Sequence, residues 1–432
     1  MISKNKDDFI KLIVLDPGHF HAALLQMKMH KNISPIVHVY APIDNGIYDY
    51  LKAVENFNTR PLNATNWQSK VFTGSDFVDR MVQEKAGNLV VLAGNNGKRI
   101  QYILKTAQAG LNILADKPLC INKEGFDLLK NAFRFAHQKG VLLYDIMTER
   151  SEITNILQKK LCNNKALFGE LLKGSPDNPA VTMESVHHFS KTVNGEPVKR
   201  PPWYFDVKQT GEGITDVTTH LIDLTHWICF PEQAIDYHKN IQVVNAAHWP
   251  TKIGKQQFRQ VTQEKTFPPY LSSNIKNDTL YVQANGYIIY RINGHYIKVK
   301  IEWPFEDKQG FGDRHYSMVK GTKATIIIET HKKQQLFVKP SKKENSKRLK
   351  SSFIKALSDL QQVYPGLGFE DIDGGWHIVI PDTYRHGHES HFSDVVERYV
   401  KYLKNGILPE WEKANMLSKY YITTTALNLI EK

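Results

Sequence analysis

Cysteine is scarce in this chain: Cys120, Cys162 and Cys229 are its three cysteines in 432 residues. An odd, scattered set cannot pair completely and matches no zinc spacing, which excludes a disulfide scaffold and fits a reducing compartment, the cytoplasm. Long apolar runs are also missing. No stretch approaches the ~20 apolar residues of a membrane span, and the polar start Met1-Ile-Ser-Lys-Asn-Lys-Asp-Asp8 carries no signal-peptide core, so no membrane partner is expected. Acidic residues are outnumbered, 44 against 56 Lys and Arg, for a net charge of +12. That excess is local: residues 331–351 hold eight Lys or Arg against Glu344, leaving +7. The stretch Pro340-Ser-Lys-Lys-Glu-Asn-Ser-Lys-Arg348 has no interleaved aromatics and reads as a solvated loop, so no nucleic-acid partner is expected. The last shortage is of glycine after the first strand. In Asp16-Pro-Gly18-His19-Phe20-His21-Ala-Ala23, Gly18 stands alone where a nucleotide-binding turn carries three glycines.

What is present is an ordered alternation. Lys11–Leu15, Ile36–Tyr40, Asn88–Leu92, Leu111–Leu114 and Val141–Tyr144 are short apolar runs of the kind buried in parallel sheets, with helical stretches such as Ile100–Ala109 and Lys123–Gln138 between them. The pattern predicts a Rossmann-like, doubly wound α/β domain over residues 1–150. Beyond it, Val181–Val186 and Gln242–Ala247 read as strands, and Leu280–Trp303 as a meander turning at Asn285-Gly286 and Asn293-Gly294. Ser317–Glu329 repeats the idea around Gly321, and residues 391–404 and 411–430 read as helices. Residues 151–432 are thus expected to form an α+β domain on a large, mainly antiparallel open sheet, closed by C-terminal helices.

The chemistry-bearing positions follow from that layout. Doubly wound sheets bind ligands at the carboxyl ends of their strands. This singles out Gly18, His19 and Phe20, Tyr40 at the end of the second run, Asn95 and Asn96, and Asp116-Lys117-Pro118. A lysine held before a proline at a cleft mouth can donate to a substrate hydroxyl, and the bond before Pro118 is a candidate cis peptide. No Arg or Lys lies between residues 40 and 50 to receive a 2′-phosphate, and Asp44 is the nearest carboxylate, which favours NAD while leaving NADP possible. Further on, Asp216, His220, Asp223 and Trp227 share one helical face, with Val217, Leu221, Leu224 and Ile228 on an adjoining apolar stripe. An imidazole one turn from a carboxylate is a general-base arrangement. His187 and His188, Trp203 in an aromatic run, and Arg385 and His388 are candidates for a polar sugar pocket. The histidines at 386, 388 and 391 match no zinc signature, and no metal ligands are assigned.

Three segments in order resemble the Gfo/Idh/MocA oxidoreductases, relatives of glucose–fructose oxidoreductase and inositol dehydrogenase. They are Ala93-Gly-Asn-Asn96, then Ala109-Gly110 through Asp116-Lys117-Pro118-Leu119, and Gly211-Glu-Gly213-Ile-Thr-Asp216-Val-Thr-Thr-His220-Leu-Ile-Asp223. Asp116 stands for the family's glutamate, and Arg99 for its frequent histidine. The longer, aromatic C-terminal part is similar to an atypical bacterial branch with its own C-terminal domain. The resemblance implies that Lys117, Asp216 and His220 surround a reacting carbinol, with His220 as base. It further implies an NAD(P) cofactor, a sugar, cyclitol or other polyol substrate, and a homo-oligomer. Two alternatives remain beside this reading: redox-neutral glycoside hydrolysis with retained NAD, and a non-catalytic ligand-binding protein on the same fold.

Overall fold

Alternating apolar strands and one-sided helices must bury their faces against each other, and they do so around two separate cores. The computed structural model describes residues 10–193, 196–307, 312–341 and 346–431. Its contacts divide the chain into two units, Met1–Thr148 with Gly387–Lys413, and Glu149–His386 with Ala414–Lys432. The boundary expected near residue 150 is therefore joined by two later crossings, and the segment 387–413 returns to the first unit.

The first unit is a six-stranded parallel sheet: β1 (Ile10–Leu15), β2 (Ile33–Ala41), β3 (Gln68–Thr73), β4 (Leu89–Leu92), β5 (Asn112–Asp116) and β6 (Leu143–Ile146). Their order is β3-β2-β1-β4-β5-β6, so the direction of winding reverses between β1 and β4 and opens a crevice at their carboxyl ends. Apolar positions at helical spacing seat the covering helices; Phe126, Leu129, Ala132, Phe133 and Ala136 are the buried face of Lys123–Lys139. The returning helix His388–Asn405 packs through buried Val395, Val396 and Tyr399, whose ring stacks on Tyr144 at 5.5 Å.

The second unit is built on a mainly antiparallel sheet of ten strands. Its main path runs Ile241–Gly254, Thr279–Ile292, His295–Glu302, Val181–Val186, Arg314–Lys320, Ala324–Thr330, Gln334–Pro340, Gly375–Val379 and Gly368–Ile372. The pair His295–Glu302 with Val181–Val186 is parallel. Two local expectations are corrected here. Asn293-Gly294 does turn, with φ of 50° and 85°, but Asn285-Gly286 lies inside the continuous strand Thr279–Ile292. A Cβ on Gly286 would run into the Ile214 side chain, so its glycine serves close packing against the helix Gly213–Asp216. Asn285 meanwhile takes over backbone bonds at an irregularity between Trp249 and Thr251. Its amide donates to Trp249 O at 3.0 Å, and its oxygen accepts from Trp303 N at 2.8 Å. Of the stretch 340–348 read as a solvated loop, Pro340 closes the strand Gln334–Pro340, residues 342–345 lie outside the described residues, and Ser346 opens a helix, Ser346–Gln361. No helix among the described residues is long and apolar enough to cross a membrane.

Candidate active-site elements

In the first unit, the chain leaves β1 through Asp16 at φ 49°, and Gly18 N bonds back to Asp16 O at 2.8 Å. The close backbone approach usually made by one glycine-rich turn is assembled here from three loops. A Cβ on Gly46 would lie 2.9 Å from Gly18 Cα, and one on Gly94 would strike Asp16 O. The adjoining helix starts are capped internally. Asp44 accepts from Gly46 N and Ile47 N at 2.9 and 3.3 Å, and Asn95 accepts from Gly97 N and Lys98 N at 3.0 and 3.3 Å. Asn95 is thus the cap and Asn96 the first residue of the helix Asn96–Ala109. Burial pushes the Asp16 carboxyl above its ordinary pKa, and Tyr102 donates to it at 3.0 Å. Phe20 is 63% exposed. Tyr40 is placed differently from the expectation: its ring stacks on Phe72 and its hydroxyl donates to Glu84 at 2.6 Å, on the flank of the sheet.

At the end of β5, the Lys117–Pro118 bond is cis. Asp116 is only 3% exposed. Its Oδ1 accepts from Lys117 N at 2.9 Å, while Oδ2 faces His21 Nδ1 at 2.8 Å and His19 Nδ1 at 3.6 Å. Burial alone would raise this carboxyl, but the two imidazoles and Arg99 outweigh it and hold the group well below the carboxylate range. Burial pushes the His21 imidazole down to about 4, so at neutral pH the pair is a neutral ring beside a carboxylate. Arg99 ties two loops together, donating to Pro118 O and Gly94 O at 2.7 Å each.

In the second unit, the predicted catalytic helix is two pieces, Gly213–Asp216 and Thr218–Cys229. Val217, Leu221, Leu224 and Ile228 are all buried, as the apolar stripe required. The polar stripe is split by its surroundings. Asp223 receives Arg150 through two bonds of 2.6 and 2.7 Å and Lys419 at 3.0 Å, which makes it the centre of a buried ion cluster. Asp216 instead lines a shallow, half-open cleft with Thr210, Gln283, Phe189, Tyr204 and Trp303. His220 stands four positions on, in the second piece Thr218–Cys229, and is partly exposed.

The neighbouring candidates separate in the same way. The aromatic run contributes Tyr204 to the cleft rather than Trp203. Arg200 spans the rings of Tyr204 and Trp303 at 4.8 and 5.3 Å while donating to Phe189 O and His188 O, and so braces the cleft wall. His187 stacks on Trp303 at 4.9 Å. Its Nδ1 lies 3.0 Å from Asp313 and its Nε2 2.9 Å from the Ser185 hydroxyl. His188 and Lys191 also converge on Asp313, at 3.3 and 2.8 Å. Sequence reasoning missed this collecting carboxylate, which lies over 100 positions from the histidines it holds. Arg385 lies beside Asp382 at 3.6 Å, and the side chain of His388 lies outside the described residues.

Residues 157–431 match the family model described as "Putative oxidoreductase C terminal domain". The chain belongs to this family. This Gfo/Idh/MocA-type oxidoreductase is 46% identical to a "putative oxidoreductase" from Parabacteroides merdae, with 98% of each chain covered and a TM-score of 0.96. Levoglucosan dehydrogenase, solved with NADH and levoglucosan, aligns over 98% of each chain at 14% identity and a TM-score of 0.60. GenD2 from gentamicin A biosynthesis, solved with NAD, aligns over 99% of this oxidoreductase and 97% of its own chain, at 12% identity and 0.57. The last two likenesses are of fold. No curated protein matches the sequence.

Proposed function

We propose that this oxidoreductase transfers hydride between NAD and a secondary hydroxyl of a carbohydrate or polyol. The observation that carries the reading is the cleft in which Asp216 and two further polar groups stand among three aromatic faces. Aromatic faces pack on the C–H side of a sugar ring, while a buried carboxylate accepts its hydroxyls and fixes its orientation. The likeness of fold to levoglucosan dehydrogenase, which carries NADH and a sugar in its solved complex, supports the same chemistry.

The nucleotide would be held by Gly18, His19 and Phe20 after β1, Asn95 and Asn96 after β4, and Asp116 and Lys117 after β5. The three-glycine approach at Gly18, Gly46 and Gly94 fits such a ligand, since it keeps the carboxyl edge of the sheet clear of side chains. Asp44 beside that edge suits a ribose diol over a 2′-phosphate. Tyr40 is left out of this set because its hydroxyl is engaged elsewhere. Bound nicotinamide supplies the hydride acceptor. In the second unit His220 would remove the hydroxyl proton, with Asp216 holding the substrate; in the first unit Lys117 would donate to an oxygen on which charge develops. His187, with His188 behind it, and the Arg385–His388 segment are assigned to the substrate.

The test is to denature the purified protein, identify any released nucleotide by mass, and follow nicotinamide absorbance across a panel of sugars, polyols and glycosides. NADH formation on a free sugar or polyol is expected. Absence of bound nucleotide together with no affinity for added NAD or NADP would end the reading. Glycoside cleavage without net NADH would move the assignment to redox-neutral hydrolysis. Light scattering checks the homo-oligomer that belongs to the same proposal.

A further inference from the structure

The turn after β1 lacks the equipment with which such turns usually hold an anion. The helix that follows it, His21–Leu24, has four residues. The N–H groups of Gly18 and His19 are spent on Asp16 O and Ala93 O at 2.8 and 3.0 Å, and those of Ala22 and Ala23 on His19 O and Phe20 O. What the turn offers instead is side chains. His19 and His21 project toward Asp116 from β5, and one donor atom from each of the three lies within 4.8 Å of the others.

The separations from Asp116 suit a bound cation. Tetrahedral metal–ligand bonds of ~2.0–2.1 Å place donors roughly 3.3 Å apart. His21 Nδ1 and His19 Nδ1 stand 2.8 and 3.6 Å from the same Asp116 oxygen, on either side of that value. A hydrogen bond accounts for His21, whereas His19 Nδ1 is shielded from solvent and has no hydrogen-bond partner among the described residues. The surrounding contacts hold the donors in place. Lys117 N fixes the second carboxylate oxygen, the two imidazoles pack edge to face at 4.2 Å, and Phe392 covers His21 at 4.8 Å. His19 retains 26% side-chain exposure, so the cluster opens on its side.

We propose that His19, His21 and Asp116 form a divalent-cation site, of the two-histidine, one-carboxylate kind that takes zinc or a neighbouring transition metal. Three protein ligands leave a coordination position for an oxygen donor, beside Lys117. His19 and Asp116 are shared with the nucleotide reading, and metal binding is measured without nucleotide, so failure of one reading is seen apart from failure of the other.

Metal binding alone tests the proposal. Chelator-treated protein is titrated with Co²⁺ followed by visible absorption, and with Zn²⁺ followed by calorimetry. One equivalent is expected to bind, with cobalt bands of a four- or five-coordinate site. His21→Ala and Asp116→Asn should abolish binding. His19→Ala, at the open rim where the fold does not depend on it, should weaken binding at least about tenfold and change the cobalt spectrum. His331→Ala, on the surface of the other unit, should bind as wild type does, and melting midpoints confirm that each variant is folded. No stoichiometric binding by the wild type, or binding undiminished in folded His19→Ala, overturns the site.

Discussion

Asp223→Asn separates a structural aspartate from a catalytic one, because the two readings of the helix assign it opposite effects. In the structure Asp223 meets Arg150 through two charge-assisted bonds and Lys419 through a third, with side-chain exposures of 2%, 2% and 0%. Removing one partner of such a buried pair costs ~3–5 kcal/mol; asparagine keeps one acceptor oxygen, which argues for the lower end, about 3 kcal/mol. For a unit of this size each kcal/mol moves the melting midpoint by ~2–4 °C, so a fall of roughly 6–12 °C is expected by calorimetry. The pH dependence carries a sign. Burial acts to raise the Asp223 carboxyl, but Arg150 and Lys419 outweigh it and hold it below its ordinary value. Its stabilisation is therefore complete above about pH 4 and is lost as pH falls through the lowered folded value, so wild type and variant should converge in acid. Turnover per folded molecule should be little changed. A variant that melts within 1 °C of wild type yet loses turnover would refute the argument and give Asp223 a part in turnover.

The remaining expectations are narrower. Asp216→Asn and His220→Ala should each lower turnover by about 10²–10⁴ with the melting midpoint preserved; steady-state rates near wild type in either would remove that residue from the mechanism. Gly213→Ala places a Cβ against the Ala284 backbone under the cleft and should destabilise by at least ~1–3 kcal/mol, read from denaturant midpoints. His226 is fully buried, and burial pushes its pKa down to about 3. The unfolded chain then binds a proton that the folded one does not between roughly pH 6.5 and 3, so stability falls across that window as pH drops. His226→Leu should flatten the slope by up to about 1.4 kcal/mol per pH unit; an unchanged slope would exonerate the imidazole.

Much of the fold was legible because burial and periodicity coincide. β1, β2, β4, β5 and β6 are apolar on both faces, as strands covered by helices on each side must be, and each was visible as a short apolar run. β3 was not, because it is an edge strand whose residues Gln68–Thr73 are largely exposed and mixed in character. Asn285-Gly286 deceived for a physical reason. The dipeptide that favours a tight turn also suits a point where a neighbouring helix touches the strand and an amide side chain replaces ladder bonds, and local sequence does not distinguish the two. The helix start at Ser346 was hidden because its buried apolar positions, Leu349 and Phe353, lie beyond the charged stretch 340–348.

The site was legible to a shallower depth, and the helix from Asp216 to Trp227 shows why. Spacing alone places Asp216, His220 and Asp223 on one face, and that inference is geometric. Their roles are decided by what the rest of the chain brings opposite each position. Arg150 and Lys419 arrive from segments 73 and 196 residues away and turn Asp223 into a buried anchor, whereas aromatic rings and Thr210 arrive opposite Asp216 and leave its carboxylate facing a cleft. The same logic governs the glycine turn. A fingerprint search scans one loop, but close approach is a property of space, and Gly18, Gly46 and Gly94 meet it from three loops. Once glycine is not needed after Gly18, histidines can occupy positions 19 and 21, and a carboxylate 95 residues beyond His21 gives them an anionic partner. The single-glycine turn and the histidine–aspartate cluster share one loop, and metal binding by His19 is the measurement that tells whether the cluster carries function.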